Sequence, residues 1–209
     1  MEVREIREKY PYLYETHLHT REASACAKNS AQEMVQAAKD YGYAGIFVTN
    51  HAWYGNTSVD RSLPWEEWVH GFCAPFYTAK AYGDQIGLSV FFGYESCYQG
   101  TEFLIYGVDE EWLLTHPEIK DATITEQLQL VREQGGLVMH AHPFREEAYI
   151  PRVRLFPELV DGVEGINATH SSHLSTSHND PRFDERAIAY AREHDLPMSA
   201  GSDVHLSLI

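Results

Sequence analysis

Runs of apolar and alternating residues divide the chain into short extended segments separated by helical ones. YLYETHLH, AGIFVTNH, LSVFFGYE, EFLIYGV, GLVMHAH, GVEGIN and PMSAGSDVH read as seven strands. Between them, SAQEMVQAAKDYG predicts a helix with a capping box, Ser30 followed by Glu33, and Gly42 as its stop. TITEQLQLVREQGG repeats the device with Thr123, Glu126 and Gly135. DPRFDERAIAYAREHD starts on Asp180 as cap with Pro181 in the first turn. LPWEEWVHGFCAPFYTAKAYGDQIG holds a further helix that Pro75 should interrupt or kink. Strands alternating with amphipathic helices predict a mostly parallel α/β arrangement. No repeat, low-complexity tract or linker breaks it, so residues 1–209 read as a single domain.

Parallel barrels and open α/β sheets gather their chemistry at the carboxyl ends of strands, and here nearly every strand ends in, or carries, a ligand-type residue. In YETHLHT, Glu15, His17 and His19 alternate and so project from one face. His51 follows Asn50 after the second strand, Glu95 closes the third, and Glu102 opens the fourth. His140 and His142 share a two-residue spacing in the fifth, and Asp203 and His205 repeat it after the last. Singly each has a bland reading: a polar strand edge, a loop histidine, a solvated strand start or a capping aspartate. Three same-spaced pairs of ligand types at strand ends are better explained together, as a metal site.

Imidazoles mixed with carboxylates, without a thiolate cluster, suit zinc, manganese or iron. More than four candidate ligands imply more than one ion. Neighbouring ions activate water and stabilise both attacking and leaving oxygens, which points to hydrolysis.

Composition narrows the setting. A formal charge of −15 argues against a broad nucleic-acid surface, though divalent ions in a cleft can reverse the local sign and admit a phosphorylated substrate. The three cysteines, Cys26, Cys73 and Cys97, form no disulfide framework. The charged start MEVREIREKY has no apolar leader core, and no run is long enough to cross a bilayer, so the expected location is cytoplasmic.

The order HxH, NH (usually TDH), GxE, AHP and GSDxH resembles the PHP family, named for polymerase and histidinol phosphatase, from Glu15 to His205. The resemblance implies a distorted (β/α)7 TIM-like barrel with two or three divalent metal ions at the carboxyl end of its strands. It also implies a phosphoesterase acting on a small phosphorylated metabolite or nucleotide, through a hydroxide bridging the ions. By resemblance His17, His19, Glu95 and Asp203 hold one ion, Glu95 bridges to a second with His142, and His51 and His205 serve the third. Glu15 would orient a histidine. Glu102 stands where the family commonly has a histidine, Asn50 replaces an aspartate, and the usual ligand after the first strand is absent. Glu22 is its substitute here, with Cys26 as a soft alternative. The chain stops four residues after His205, at LSLI, where relatives continue; a shortened barrel edge would favour association.

Arg145, directly after HPF, could fork onto phosphate oxygens, or pair with Glu146 or Glu147 at the surface. Arg21 is a weaker candidate of the same kind. Asn167, His170, His173 and His178 read as a solvated loop over the barrel mouth, with a substrate-contacting histidine as the alternative. Trp53, Trp65 and Trp68 read as core rather than as a base-stacking surface. Two rival readings remain: a metal-dependent amidohydrolase, which would usually place a lysine at a middle strand end, and a PHP module that binds metal without catalysis.

Overall fold

The computed structural model describes residues 3–173, 175 and 178–205. The terminal LSLI segment lies outside the described residues. Seven strands pair in chain order: β1 (Tyr14–Leu18), β2 (Gly45–Val48), β3 (Ser89–Tyr98), β4 (Thr101–Tyr106), β5 (Leu137–Ala141), β6 (Gly162–Asn167) and β7 (Met198–Gly201). Beyond β7 the chain returns to β1 through a parallel bridge between Leu18 and Val204, so the sheet curls into a nearly closed barrel. This is the distorted TIM-like barrel that the resemblance implies.

The mostly parallel expectation needs one correction. β4 runs antiparallel to both β3 and β5. Its hairpin turns through Gln99 and Gly100, both at positive φ (53° and 81°), the pair a tight two-residue turn demands. The reversal brings the start of β4, and with it Glu102, to the barrel end where the other strands finish.

The helices are α1 (Val3–Lys9), α2 (Ala31–Asp40), α3 (Trp65–Ile86), α4 (Glu110–Thr115), α5 (Ile124–Glu133) and α6 (Arg182–Glu193). Both capping boxes form: Ser30 with Glu33 on α2, and Thr123 with Glu126 on α5. Asp180 does accept a first-turn amide, that of Arg182, but α6 begins only after Pro181. Pro75 does not interrupt α3, which runs 22 residues through it. A mid-helix proline costs about 3 kcal/mol. Trp68, Val69, Phe72, Cys73 and Ala79, buried on either side of it, outweigh that at roughly 1.5–3 kcal/mol for each large apolar side chain.

The apolar core lies outside the barrel, between strands and helices. Leu18, Ile46, Val48 and Val90 pack on α2 and α3; Tyr94, Phe103, Ile105 and Val138 pack on α3 to α5; and Val163 packs on α6. Trp53 and Trp68 are buried in it, and Trp65 donates from Nε1 to the Leu113 carbonyl. Tyr14, Phe47, Phe91 and Tyr106 gather toward the end of the barrel where the parallel strands begin and β4 finishes. The inward positions at the opposite end are left to polar residues.

Candidate metal centre

Strand alternation sends Leu18 outward and His17 and His19 into the barrel, where both are fully buried. Each ring is held at Nδ1. His17 donates to Glu164 Oε1 at 2.8 Å, and His19 to Ser24 Oγ at 3.2 Å. With Nδ1 carrying the proton, each Nε2 presents a lone pair. These two atoms lie 3.1 Å apart, an arrangement that repels unless a proton or a metal cation sits between them. Asp203 Oδ1 completes the group at 3.4 Å from His17 Nε2 and 3.2 Å from His19 Nε2. Ligands bound at about 2.0–2.2 Å in tetrahedral geometry lie roughly 3.3–3.6 Å apart, so these spacings fit a shared ion.

Glu95 joins this group to the next. Its Oε1 is 3.4 Å from His17 Nε2 and 3.1 Å from His142 Nε2, and Glu102 Oε2 is 3.4 Å from the same His142 atom. Its Oε2 lies 2.7 Å from His51 Nδ1 but off the line a hydrogen bond needs. Among the described residues both atoms are buried without a hydrogen bond. Two buried ligand atoms this close need a proton or a bound cation between them. A third group joins His51 to His205 and His19: the His51 and His205 rings each lie 4.3 Å from that of His19 and 5.9 Å from one another. His205 donates from Nδ1 to the Asp203 carbonyl at 2.7 Å. The donor set, imidazole with carboxylate in linked clusters, fits divalent cations.

The electrostatics agree. Burial opposes charge on Glu95, but His17, His51 and His142 outweigh it and hold the carboxyl well below the usual range. Burial likewise opposes charge on Asp203, and His17 and Arg145 overcome it. His17 is raised well above the ordinary value: burial acts against the proton, but Asp203, Glu164 and Glu95 retain it. His19 is lowered well below, first by burial and then by His51 and His205. His142 (φ 25°) and Asp203 (φ 51°) both adopt left-handed backbone, a strain that clusters at functional sites.

Eight of the nine expected ligands therefore meet: His17, His19, His51, Glu95, Glu102, His142, Asp203 and His205. Glu22 does not. It is exposed, and its carboxylate accepts the Ala31 amide at the start of α2. Cys26 lies instead beside the third group. Burial opposes ionisation of its thiol, but contacts with His205 and His51 bring it down to about 6. His140 is not the partner of His142, because the left-handed turn at 142 breaks the alternation. It faces outward, stacked on Phe103.

Glu15 orients no ring. It accepts the amides of His17 and Ser202, both at 2.9 Å, and so braces the ends of β1 and β7. Ring orientation falls to Glu164, which the sequence reading passed over inside GVEGIN. Its second oxygen accepts the His142 amide and the Asn167 Nδ2 group, each at 3.0 Å. The signal was an acid at an inward position of a strand, between two glycines. Asn50 accepts from Thr20 N at 2.7 Å and Ser24 Oγ at 2.9 Å, pinning the loop that holds His19.

Arg145 pairs with neither Glu146 nor Glu147, which bind Arg186 and His178. It is buried, and Nη2 donates to Asp203 Oδ2 at 2.7 Å and to Thr169 Oγ1 at 3.1 Å. Arg21 is exposed beside Glu33. The loop after β6 is only partly solvated: Asn167 and His170 are buried, the latter held by Asp184 and Arg145. His173 is exposed, and His178 is half-buried. The clusters open onto a cavity of about 1010 Å³, lined among others by His51, Glu95, Glu102, Arg145, His178 and Asp203. Among the described residues, no helix is long and apolar enough to cross a membrane.

No family model matches the chain, and no curated protein matches it in sequence. Solved structures do match in fold. One is a two-domain protein from Bacteroides vulgatus containing a PHP-like metal-dependent phosphoesterase, an assignment made there by prediction; it gives a TM-score of 0.67 at 17% identity over 92% of this chain. This chain spans about half of that protein, 51%. A protein from Bifidobacterium adolescentis, provisionally assigned as a metal-dependent phosphoesterase, gives 0.62 at 15% identity, covering 94% of this chain and 88% of that one. An amidohydrolase from Chromobacterium violaceum, with bound sulfate and no metal, gives 0.59 at 13% identity, covering 92% and 87%. The barrel is thus one shared with PHP-like phosphoesterases.

Proposed function

We propose that this protein is a metal-dependent hydrolase of phosphoric esters, acting on a small phosphorylated metabolite or nucleotide. The observation that carries the reading is the carboxylate of Glu95, buried among the imidazoles of His17, His51 and His142 at the floor of an open cavity. The clusters would hold zinc, manganese or iron ions, which supply activated water and offset charge on phosphoryl oxygens. His17, His19, Glu95 and Asp203 would hold one ion, Glu95, Glu102 and His142 a second, and His51 and His205 the third.

The rest of the chemistry belongs to the chain. Glu164 and Ser24 keep the His17 and His19 lone pairs aimed at the cluster. Arg145, anchored on Asp203 at the cavity wall, presents a fixed positive charge where phosphate oxygens would lie. Four carboxylates at 95, 102, 164 and 203 are buried around the clusters, and bound cations would offset their charge where an anionic substrate enters.

An amidohydrolase reading draws on the likeness to the Chromobacterium protein. Among the described residues no lysine is buried, so none is placed to bridge ions in this cluster. The test is turnover of a panel of phosphomonoesters, phosphodiesters and amides by protein loaded with each metal. Phosphoester hydrolysis abolished by joint His17→Ala and His19→Ala substitution is expected. Metal-replete protein inert on every phosphoester, or activity surviving both substitutions, would overturn the proposal.

A further inference from the structure

The third group of ligands lacks the acid that Glu22 was expected to supply, and a different residue stands beside it. Cys26 lies in the loop after β1, with its flanks tied to the two elements that carry His51 and His205. Ala25 N donates to the Asn56 carbonyl at 2.8 Å, just past His51, and Lys28 N donates to the His205 carbonyl at 2.7 Å. Between these anchors the thiol contacts both imidazoles and lines the cavity. A second observation points to a ligand here independently of the thiol. His51 is 8% exposed and its ring belongs to two ligand clusters: Nδ1 lies 2.7 Å from Glu95 Oε2, and the ring also groups with His19 and His205.

We propose that Cys26 is a thiolate ligand which, with His51 and His205, completes the third cation site and makes it selective for zinc. This rests on the multi-metal reading above and deepens it. Thiolate is a soft donor that favours zinc over manganese or magnesium, whereas carboxylate and imidazole alone discriminate less. Binding exchanges the Sγ proton for the cation, and the proton leaves to solvent. Cys73, buried in the core, and Cys97, in β3 near Glu102, serve as internal controls.

The experiment titrates the full chain with cobalt(II) and, separately, with zinc, in the absence of substrate. Wild type is expected to show the near-ultraviolet thiolate-to-cobalt charge-transfer band. Cys26→Ser should lose the band and one equivalent of zinc, while Cys97→Ser keeps both. Cys26→Asp should recover the equivalent without the band. A measurement needing no variant is alkylation of wild type by iodoacetamide, read at Cys26 by mass spectrometry, which saturating zinc should slow at least tenfold. A fully loaded protein without the band, a Cys26→Ser variant with wild-type stoichiometry and spectrum, or alkylation indifferent to zinc overturns the assignment. Hydrolysis without the band would sink the thiolate alone. The band in a protein inert on phosphoesters would sink the hydrolase reading and leave the thiolate standing.

Discussion

Nδ1 of His17 lies 2.8 Å from Oε1 of Glu164, and both residues are buried. The pair connects adjoining parts of the barrel wall, because β6 carries the acid and β1 the ring, with β7 between them. The acid accepts the imidazole proton on the side away from the cluster, so the lone pair of Nε2 is turned toward the space shared with Asp203, Glu95 and His19. The other oxygen of Glu164 holds the His142 amide, and one side chain therefore sets the aim of ligands in two groups.

Replacing this acid tests that coupling. Glu164→Gln still offers an oxygen to His17, but its NH2 group then meets the His142 N–H, donor against donor. Metal affinity should fall 10- to 100-fold, the usual cost of losing such an outer partner, when measured by competition with a chelator. An affinity within twofold of wild type would show that His17 needs no orientation from β6.

Gly201 makes room for the same pair. A Cβ built there would lie 2.5 Å from Glu164 Oε1 and 2.6 Å from His17 Cβ, closer than atoms in folded proteins approach. Gly201→Ala should lower stability by about 1–3 kcal/mol through overpacking and weaken metal binding along with it. Thermal melting of chelator-treated protein reads the first effect and metal titration the second. Wild-type values for both would mean that the strand yields and the cradle is not tight.

Much of this site was legible in the sequence because strand alternation alone places His17 and His19 together; Glu95, expected to close its strand, lies three residues before β3 ends at Tyr98. Legibility ended where the backbone departs from regular geometry. The two-residue spacing of His140 and His142 suggested one face, but φ turns positive at His142 and sends the rings apart. Glu22 fits a ligand list as well as it fits a helix cap, and only the path of the loop to α2 decides between them. Glu164 was missed because one acid in a glycine-flanked strand has no spacing partner. The antiparallel β4 hid behind QG, a dipeptide short of the usual Asn-Gly or Asp-Gly hairpin signal. Pro75 was over-read because local propensity does not weigh the tertiary packing on both sides of it.

Arg145 joins cavity to cluster through Asp203, so its removal has two signatures. In chelator, Arg145→Met leaves a buried carboxylate without its cation and should cost about 3–5 kcal/mol in urea unfolding. Saturating metal should recover part of that loss by supplying the missing charge. Turnover should fall on the order of 100-fold even when metal is saturating, as expected for losing a donor that stabilises the transition state. Arg145→Lys keeps the charge without the fork, and should recover stability more fully than turnover. Equal recovery of both by lysine would reduce the role to anchoring Asp203.

His140 gives a pH dependence whose sign is fixed by its surroundings. It is buried against Phe103, and its Nδ1 has no hydrogen bond among the described residues. Burial first, then His142 and Arg154, lower its pKa to about 3. An unfolded histidine titrates near 6.5, so below that pH the unfolded chain takes up a proton that the folded one refuses. The stability this residue contributes is complete above about pH 6.5 and is lost as pH falls toward 3, at up to about 1.4 kcal/mol per pH unit. His17 and His51, raised by their carboxylates, contribute the opposite slope, so the comparison must be a difference. Subtracting His140→Gln from wild type in chelator, by urea unfolding at a series of pH values, cancels their terms. The difference should favour wild type progressively less as the solution is acidified from pH 7 to pH 4. Parallel curves over that range would mean that the folded protein accommodates a charged imidazole at position 140.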